Sequence, residues 1–187
     1  MDLPLLTPST TRQLLNRLGV HPRKALGQNF LIEPNLVLKS VDMAELATAD
    51  RVVEIGPGLG TLTRGLLNAG AEVFALEYDG QMMRHLEADL VPRSNYRLHL
   101  LEGDALEHPK CGLQDDQPFK IVANLPYAIT TPWLEKVLWE PLPERMVLLM
   151  QKEAAQRILA EPATKSFGPI SIFLQAAYSL ADRHRVS

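Results

Sequence analysis

The sequence contains one cysteine in 187 residues, no apolar run long enough to cross a membrane and no excess of basic residues. A lone Cys111 excludes an internal disulfide bond and is consistent with a reducing compartment; we expect it to be an ordinary thiol in a polar loop. The N-terminus lacks the pattern of a secretion signal, so we expect a cytoplasmic protein without a membrane partner. A net charge of −3 gives no overall basic footprint for nucleic acid.

Metal ligands are also scarce. The five histidines are scattered along the chain without metal-ligand spacing, and we expect surface or structural roles for them and no metal site. The chain is long enough for one globular domain.

Short β-branched runs alternate with amphipathic stretches, which is typical of an α/β fold whose mostly parallel sheet has helices on both faces. Ser9 is the expected cap of the first helix and Gly19 its end. We predict strands at 51–55, 72–77, 97–101, 120–123 and 146–150, and helices at 9–18, 34–47, 61–68, 80–89, 132–138, 152–160 and 170–179. In such sheets, ligands bind beyond the carboxyl ends of the strands.

A glycine turn, Glu54 to Gly60, follows the first strand. Its spacing is G-x-G-x-G and departs from the G-x-G-x-x-G of dinucleotide sites. The carboxylate of Glu54 would repel a pyrophosphate but suits a ligand that carries an ammonium and a sulfonium, such as S-adenosylmethionine. A tight strand-to-helix turn without a ligand is the alternative interpretation.

Acidic residues follow the second and third strands. Glu77, with Tyr78 after it, lies near the position of a ribose-binding acid, although a solvated surface acid would give the same pattern. Asp104, with Ala105 after it, could accept a hydrogen bond from an adenine amino group or could form an Asx-turn or a helix cap.

The tetrapeptide Asn124-Leu125-Pro126-Tyr127 follows the fourth strand. An aromatic amino group is a poor nucleophile, and two acceptors for its hydrogens would activate it. Asn124 offers its side-chain oxygen and Leu125 its carbonyl, which Pro126 holds in extended geometry. Tyr127 could stack on a base. A β-turn with a core tyrosine is the alternative.

Together these motifs resemble the ribosomal RNA adenine dimethyltransferases, and they are similar to the erythromycin-resistance methylases. The resemblance runs from about residue 23 to residue 179 and includes Gln28-Asn29-Phe30-Leu31 and Met150 to Glu153. It implies a Rossmann-like class I methyltransferase fold. It also implies dimethylation at N6 of two adjacent adenines near the 3′ end of small-subunit ribosomal RNA, with the small ribosomal subunit as partner and S-adenosylhomocysteine as product. The implied cofactor site comprises Gln28, Asn29, Leu31, Glu54, Gly56, Gly58, Glu77, Tyr78, Asp104, Ala105 and Asn124, and the implied catalytic residues are Asn124, Leu125, Pro126 and Tyr127.

The chain departs from the family pattern at Ala128, where asparagine is usual, and at 166–169, where a more basic stretch is usual. We expect residues 1–187 to form one methyltransferase domain, with a helix and a cofactor-covering loop in 1–33. We expect the last two strands and a helical RNA-binding domain to be missing. The fifth strand would then be an open edge through which the protein could self-associate.

Three alternative functions stay open at this point. One is a cofactor-binding factor in ribosome assembly or nucleic-acid binding that lacks catalysis; a basic stripe of Arg12, Arg17, Arg23 and Lys24 could touch phosphates or be a solvated face. Another is a large-subunit rRNA adenine methylase. An NAD-dependent oxidoreductase is disfavoured by Glu54 and by the glycine spacing.

Overall fold

Five parallel strands form one sheet in the computed structural model, which describes residues 2–20, 30–113, 117–126, 128–139 and 141–186. The lateral order is β3-β2-β1-β4-β5, with all four neighbouring pairs parallel. The chain therefore reverses its direction of progress across the sheet between β1 and β4, which is where such sheets bind ligands. The strands are β1 Arg51–Ile55, β2 Glu72–Glu77, β3 Leu98–Glu102, β4 Lys120–Asn124 and β5 Arg145–Leu149.

Seven α-helices precede, connect or follow these strands within the described residues. The loop after α4 adds one turn of 3₁₀-helix, Val91–Arg93. None of the helices in the described ranges is long and apolar enough to span a bilayer. The helices are α1 Pro8–Leu18, α2 Pro34–Met43, α3 Thr61–Asn68, α4 Gly80–Asp89, α5 Thr130–Val137, α6 Lys152–Ile158 and α7 Pro169–Ala177.

Neighbouring strand residues point into two separate cores, so both faces of the sheet are covered. Val52 packs with side chains from α2, α3 and α4, whereas Val53 packs with side chains from α5 and α7. Burial on both faces explains why β1 is apolar in consecutive positions rather than in alternate ones. The prediction of a parallel sheet with helices on both faces is confirmed.

Helix ends agree with the predictions to within two residues, apart from the end of the second helix. Thr7, not Ser9, caps α1, because its hydroxyl accepts a hydrogen bond from the Thr10 amide while Thr10 bonds back to the Thr7 amide. Gly19 ends α1 in the left-handed conformation, as expected. The second helix was predicted to reach residue 47 but ends at Met43, and Glu45 has a positive φ that no helix continues through. The other boundaries differ by at most two residues, with β3 and β5 each displaced by one.

Candidate functional site

One cavity of about 300 Å³ opens at the carboxyl edge of the sheet. The ends of β1, β2 and β4, the turn after β3 and the segment before α2 all contribute to its walls. The structure therefore brings together every proposed site residue that it describes. These residues are Leu31, Glu54, Gly56, Gly58, Glu77, Tyr78, Asp104, Ala105, Asn124, Leu125 and Pro126.

Three further predicted site residues, Gln28, Asn29 and Tyr127, lie outside the described residues, as do Arg23 and Lys24 of the basic stripe. Phe30 adjoins the first two and also lines the cavity. It packs in a small cluster with Leu59 of the glycine turn and with α1 and α4. No role was predicted for Phe30 from the sequence, and its position directly after Gln28 and Asn29 was the available signal.

The glycine turn forms the floor of the cavity, and its three glycines all have positive φ: 67° at Gly56, 56° at Gly58 and 77° at Gly60. Such angles are strained for residues with a Cβ atom. A Cβ on Gly58 would also stand 3.2 Å from the Phe30 ring. The Gly56 amide donates to the Leu76 carbonyl at 2.9 Å, which ties the turn to the end of β2. Glycine here allows both the turn and a close approach of a ligand to the backbone.

Glu77 is 6% exposed, so the interpretation as a solvated surface acid is wrong. Its Oε2 accepts the Gly58 amide and its Oε1 accepts the Asp79 amide, each at 2.9 Å. Burial raises the pKa of this carboxyl group, while these backbone hydrogen bonds act in the opposite direction. Glu77 therefore fixes the glycine turn relative to β2, and its oxygens border the cavity with further lone pairs for hydroxyl donors.

Glu54 is the most deeply buried acid of the site, at 1% exposure. Its Oε2 has no hydrogen-bond partner among the described residues. Burial raises its pKa to about 8, the nearby Glu77 acts in the same direction, and hydrogen bonding from Thr63 opposes the rise. A buried carboxyl group with one oxygen unpartnered is a poor neighbour for a phosphate and a good one for a cation.

Asp104 forms the Asx-turn, one of the two roles that its sequence left open, and it also lies at the cavity. Its Oδ1 accepts the Leu106 amide at 2.8 Å in an Asx-turn, and its carbonyl accepts the amides of Glu107 and His108. Asp104 nevertheless lines the cavity beside the buried Ala105. The turn holds the carboxylate at the end of β3, where it lies at the cavity.

The Asn124–Pro126 segment continues β4 beyond the edge of the sheet. The Leu125 amide donates to the Leu149 carbonyl of β5 at 3.0 Å, and the Pro126 carbonyl accepts the Ile129 amide at 3.2 Å. No hydrogen bond from another described residue reaches the Leu125 carbonyl. A turn is thus present after β4, with Asn124 and Leu125 at the wall of the cavity; the core tyrosine of the alternative interpretation lies outside the described residues.

The environment of Cys111 differs from the one predicted. It was predicted to be a thiol in a polar loop, but it is 5% exposed, and its Sγ donates to the Glu54 carbonyl at 3.5 Å. Burial, with Glu54 close by, raises the pKa of the thiol far above its usual value. The polar sequence around it gave no signal, because its burial comes from packing under the ends of β1 and β2.

Within the ranges that the structure describes, no group of three or more His, Cys, Asp or Glu side chains is arranged to hold a metal ion. His85 is buried in α4, while His99 stacks on Phe74 and bonds to Glu72 at 2.8 Å.

Comparisons with known sequences agree with this geometry. The family model described as ribosomal RNA adenine dimethylase matches residues 19–181. The chain is 58% identical over 183 residues to ribosomal RNA small subunit methyltransferase A of Opitutus terrae, an alignment that covers 97% of this chain and 66% of that protein. The protein of the same name from Pediococcus pentosaceus is 40% identical over 172 residues, covering 90% and 58%. The chain therefore spans about 60% of the length of these relatives.

Solved structures show the same fold. A dimethyladenosine transferase from Plasmodium falciparum superposes with a TM-score of 0.68 at 29% identity, over 79% of this chain and 52% of that one. The 23S rRNA methyltransferase ErmE gives a TM-score of 0.60 at 29% identity, over 69% and 50%. The predicted Rossmann-like class I methyltransferase fold is thereby confirmed.

Proposed function

We propose that this chain, which belongs to the ribosomal RNA adenine dimethylase family, binds S-adenosylmethionine and dimethylates N6 of two adjacent adenines in small-subunit ribosomal RNA. The observation that carries the proposal is the lateral order of four side chains along one cavity. Asp104, Glu77, Glu54 and Asn124 lie at or just beyond the carboxyl ends of β3, β2, β1 and β4, which are neighbours in that order. In that order, the four side chains would face the adenine, the ribose and the charged sulfonium amino acid part of the donor, and then the acceptor base.

The described residues fit this donor better than a dinucleotide. Glu54 lies beside the glycine turn with one carboxyl oxygen unpartnered among the described residues, an arrangement that opposes a pyrophosphate and favours a cation. Tyr78, 65% exposed at the cavity, offers an aromatic face to an adenine. The bound donor would supply an electrophilic methyl group on a positively charged sulfur.

On the donor side, the chain's own residues bind S-adenosylmethionine and orient it. Glu77 accepts hydroxyl donors from the ribose while the amides of Gly58 and Asp79 keep its carboxyl group in place. The glycine turn lets the backbone approach the ligand. Such positioning of two reactants can supply a large part of the rate acceleration in a direct transfer.

On the acceptor side, Asn124 and Leu125 activate the amine. The Asn124 side-chain oxygen and the Leu125 carbonyl accept hydrogen bonds from the two N6 hydrogens, which localises the nitrogen lone pair toward the methyl group. Held acceptors of this kind cost no reorganisation during the reaction. Tyr127 is proposed to stack on the extruded adenine, which is cheaper to extract from a loop than from a duplex.

The test is methyl transfer by wild type and by Asn124→Ala. Each protein is incubated with labelled S-adenosylmethionine and undermethylated small ribosomal subunits, and the modified adenines are mapped. We expect wild type to modify two adjacent adenines, and Asn124→Ala to bind the donor but lose at least about 100-fold in transfer, the scale for one transition-state hydrogen-bonding group. Asn16→Ala, at an exposed position of α1, is the control and should keep full activity. Near-normal transfer by Asn124→Ala would contradict the assigned role.

The same assay separates the other candidate functions. Transfer to large-subunit RNA alone would favour the activity named for ErmE, whereas donor binding without transfer to any RNA would favour a non-catalytic assembly factor. The 58% identity to a small-subunit methyltransferase, against 29% to ErmE, supports the small subunit as the partner. A cytoplasmic location and self-association through the β5 edge belong to this proposal.

A further inference from the structure

We infer that Glu54 is a specificity residue that responds to the charge of the ligand. Its side chain is a neutral carboxylic acid in the free protein and loses its proton to solvent when a sulfonium donor binds. The ionised side chain then favours the donor over the product. The inference rests on the proposed function, because it takes S-adenosylmethionine as the donor. It goes further by giving Glu54 a protonation change that separates the two ligands.

Glu54 lacks the partners that would keep a buried carboxylate ionised. It is 1% exposed at the end of β1, it lines the cavity, and its Oε2 has no hydrogen-bond partner among the described residues. None of the ion pairs between described residues includes it. An ionised carboxylate in such a place is costly unless a cation or hydrogen-bond donors compensate it.

The groups that face Glu54 from the packed elements do not supply a positive charge. Glu77 from β2 is an acid, Thr63 from α3 is a hydroxyl, and Cys111 donates its thiol to the Glu54 backbone carbonyl. The Glu77 charge and burial both disfavour ionisation of Glu54, and only Thr63 favours it. The pKa of about 8 means that the neutral acid predominates at pH 7.

The place of Glu54 in the sheet matches the charged part of the donor. β1 lies between β2, whose Glu77 is proposed to hold the ribose, and β4, whose Asn124 is proposed to hold the acceptor base. The sulfonium and its amino acid portion must lie between ribose and acceptor. A cation within several ångströms favours the charged form of a carboxyl group, so donor binding lowers the pKa of Glu54 and releases its proton.

Donor and product differ at this point by one charge. S-adenosylmethionine carries a sulfonium and S-adenosylhomocysteine a neutral thioether, while both carry the same amino acid group. After methyl transfer the positive charge next to Glu54 is gone, and Glu54 takes a proton back from solvent. The product is then held without the ion-pair interaction that favoured the donor, which assists product exchange.

Isothermal titration calorimetry in two buffers of different ionisation enthalpy measures the protons released on binding. At pH 7 we expect S-adenosylmethionine to release close to one more proton from wild type than from Glu54→Gln, and S-adenosylhomocysteine to show a smaller difference. The difference should shrink as the pH rises through about 8, because Glu54 is then increasingly ionised before the donor binds. Comparison with the variant removes protons contributed by the ligand's own amino group. Glu87→Gln, an exposed acid of α4, is the matched control and should behave as wild type.

The outcomes distinguish this inference from the proposed function. Donor binding with equal proton release from wild type and Glu54→Gln would overturn the inference alone; absence of donor binding by wild type would overturn both. Carbon-13 NMR of glutamate side-chain carboxyl carbons in wild type gives a second measurement that does not need the variant to fold. We expect one carboxyl signal to titrate near pH 8 in the free protein. With saturating donor, the same carboxyl group should be fully ionised at pH 7. A spectrum in which no carboxyl group changes charge when the donor binds would refute it.

Discussion

Glu77→Gln is the substitution that tests most directly how the site is built. The carboxylate of Glu77 accepts two backbone amides, one from Gly58 and one from Asp79, through different oxygens at 2.9 Å each. Glutamine keeps the shape of the side chain but has only one oxygen. Its NH₂ group must therefore face one of the two backbone N–H groups, donor against donor. The glycine turn and the end of β2 lose one of the bonds that join them.

The expected loss follows from these two bonds. A hydrogen bond to a charged group contributes about 1.5–3 kcal/mol, and a buried N–H left unsatisfied costs about 1–3 kcal/mol. Part of this loss is offset, because burial raises the pKa of Glu77 and a neutral amide is cheaper to bury than a carboxylate. We expect the free energy of unfolding to fall by about 1–2 kcal/mol. Losing the charge-assisted bond to the ribose should weaken donor binding about 10- to 100-fold.

Urea unfolding and calorimetric titration with S-adenosylmethionine measure the two effects. The matched control is Glu72→Gln at the opposite end of β2, where the side chain is more exposed and bonds to His99; its stability should change by less than about 0.5 kcal/mol, with donor affinity unchanged. If Glu77→Gln unfolds like wild type and binds the donor equally well, the carboxylate neither holds the glycine turn nor contacts the ribose, and the reasoning fails.

Two further predictions concern the glycine turn and the sheet edge. Gly60→Ala should lower the free energy of unfolding by about 1–3 kcal/mol more than Gly19→Ala does. Both glycines have positive φ, but a Cβ at Gly60 would stand 2.5 Å from Leu90, whereas a Cβ at Gly19 would have nothing within 4 Å. Equal losses in urea unfolding would show that packing at Gly60 does not matter. β5 pairs only with β4 among the described strands, so light scattering should show mass increasing with protein concentration as free edges pair; a constant monomer mass at high concentration would contradict this.

Local signals in the sequence were sufficient to predict the helices and strands and to place polar residues near the strand ends. Three local patterns predicted these elements: consecutive apolar residues in β1, helical spacing in α3 and α4, and glycines at 56, 58 and 60. Each pattern reflects backbone geometry within a few residues. Ser9 is the predicted cap of α1 and Thr7 the observed one, because the two hydroxyl residues on either side of Pro8 offer competing starts. Errors of this kind stay within one turn of helix.

Burial was less accessible to sequence reasoning. Glu77 follows a strand in the way a solvated acid would, yet it is enclosed by the glycine turn and β2. Cys111 stands in a polar stretch but packs against the Glu54 backbone. In both cases the enclosing atoms come from residues distant in the chain, so no local pattern records them.

The sequence by itself determined, to within one residue, where each strand ends and therefore which chemical groups the sheet presents at one edge. Tertiary structure alone decided their lateral order, because pairing between distant strands places Asp104, Glu77, Glu54 and Asn124 side by side in an order that differs from their order along the chain. It also decided that Glu54 is enclosed without a cation among the described residues. Periodicity is a property of neighbouring residues, whereas strand pairing and burial depend on contacts between residues far apart in sequence.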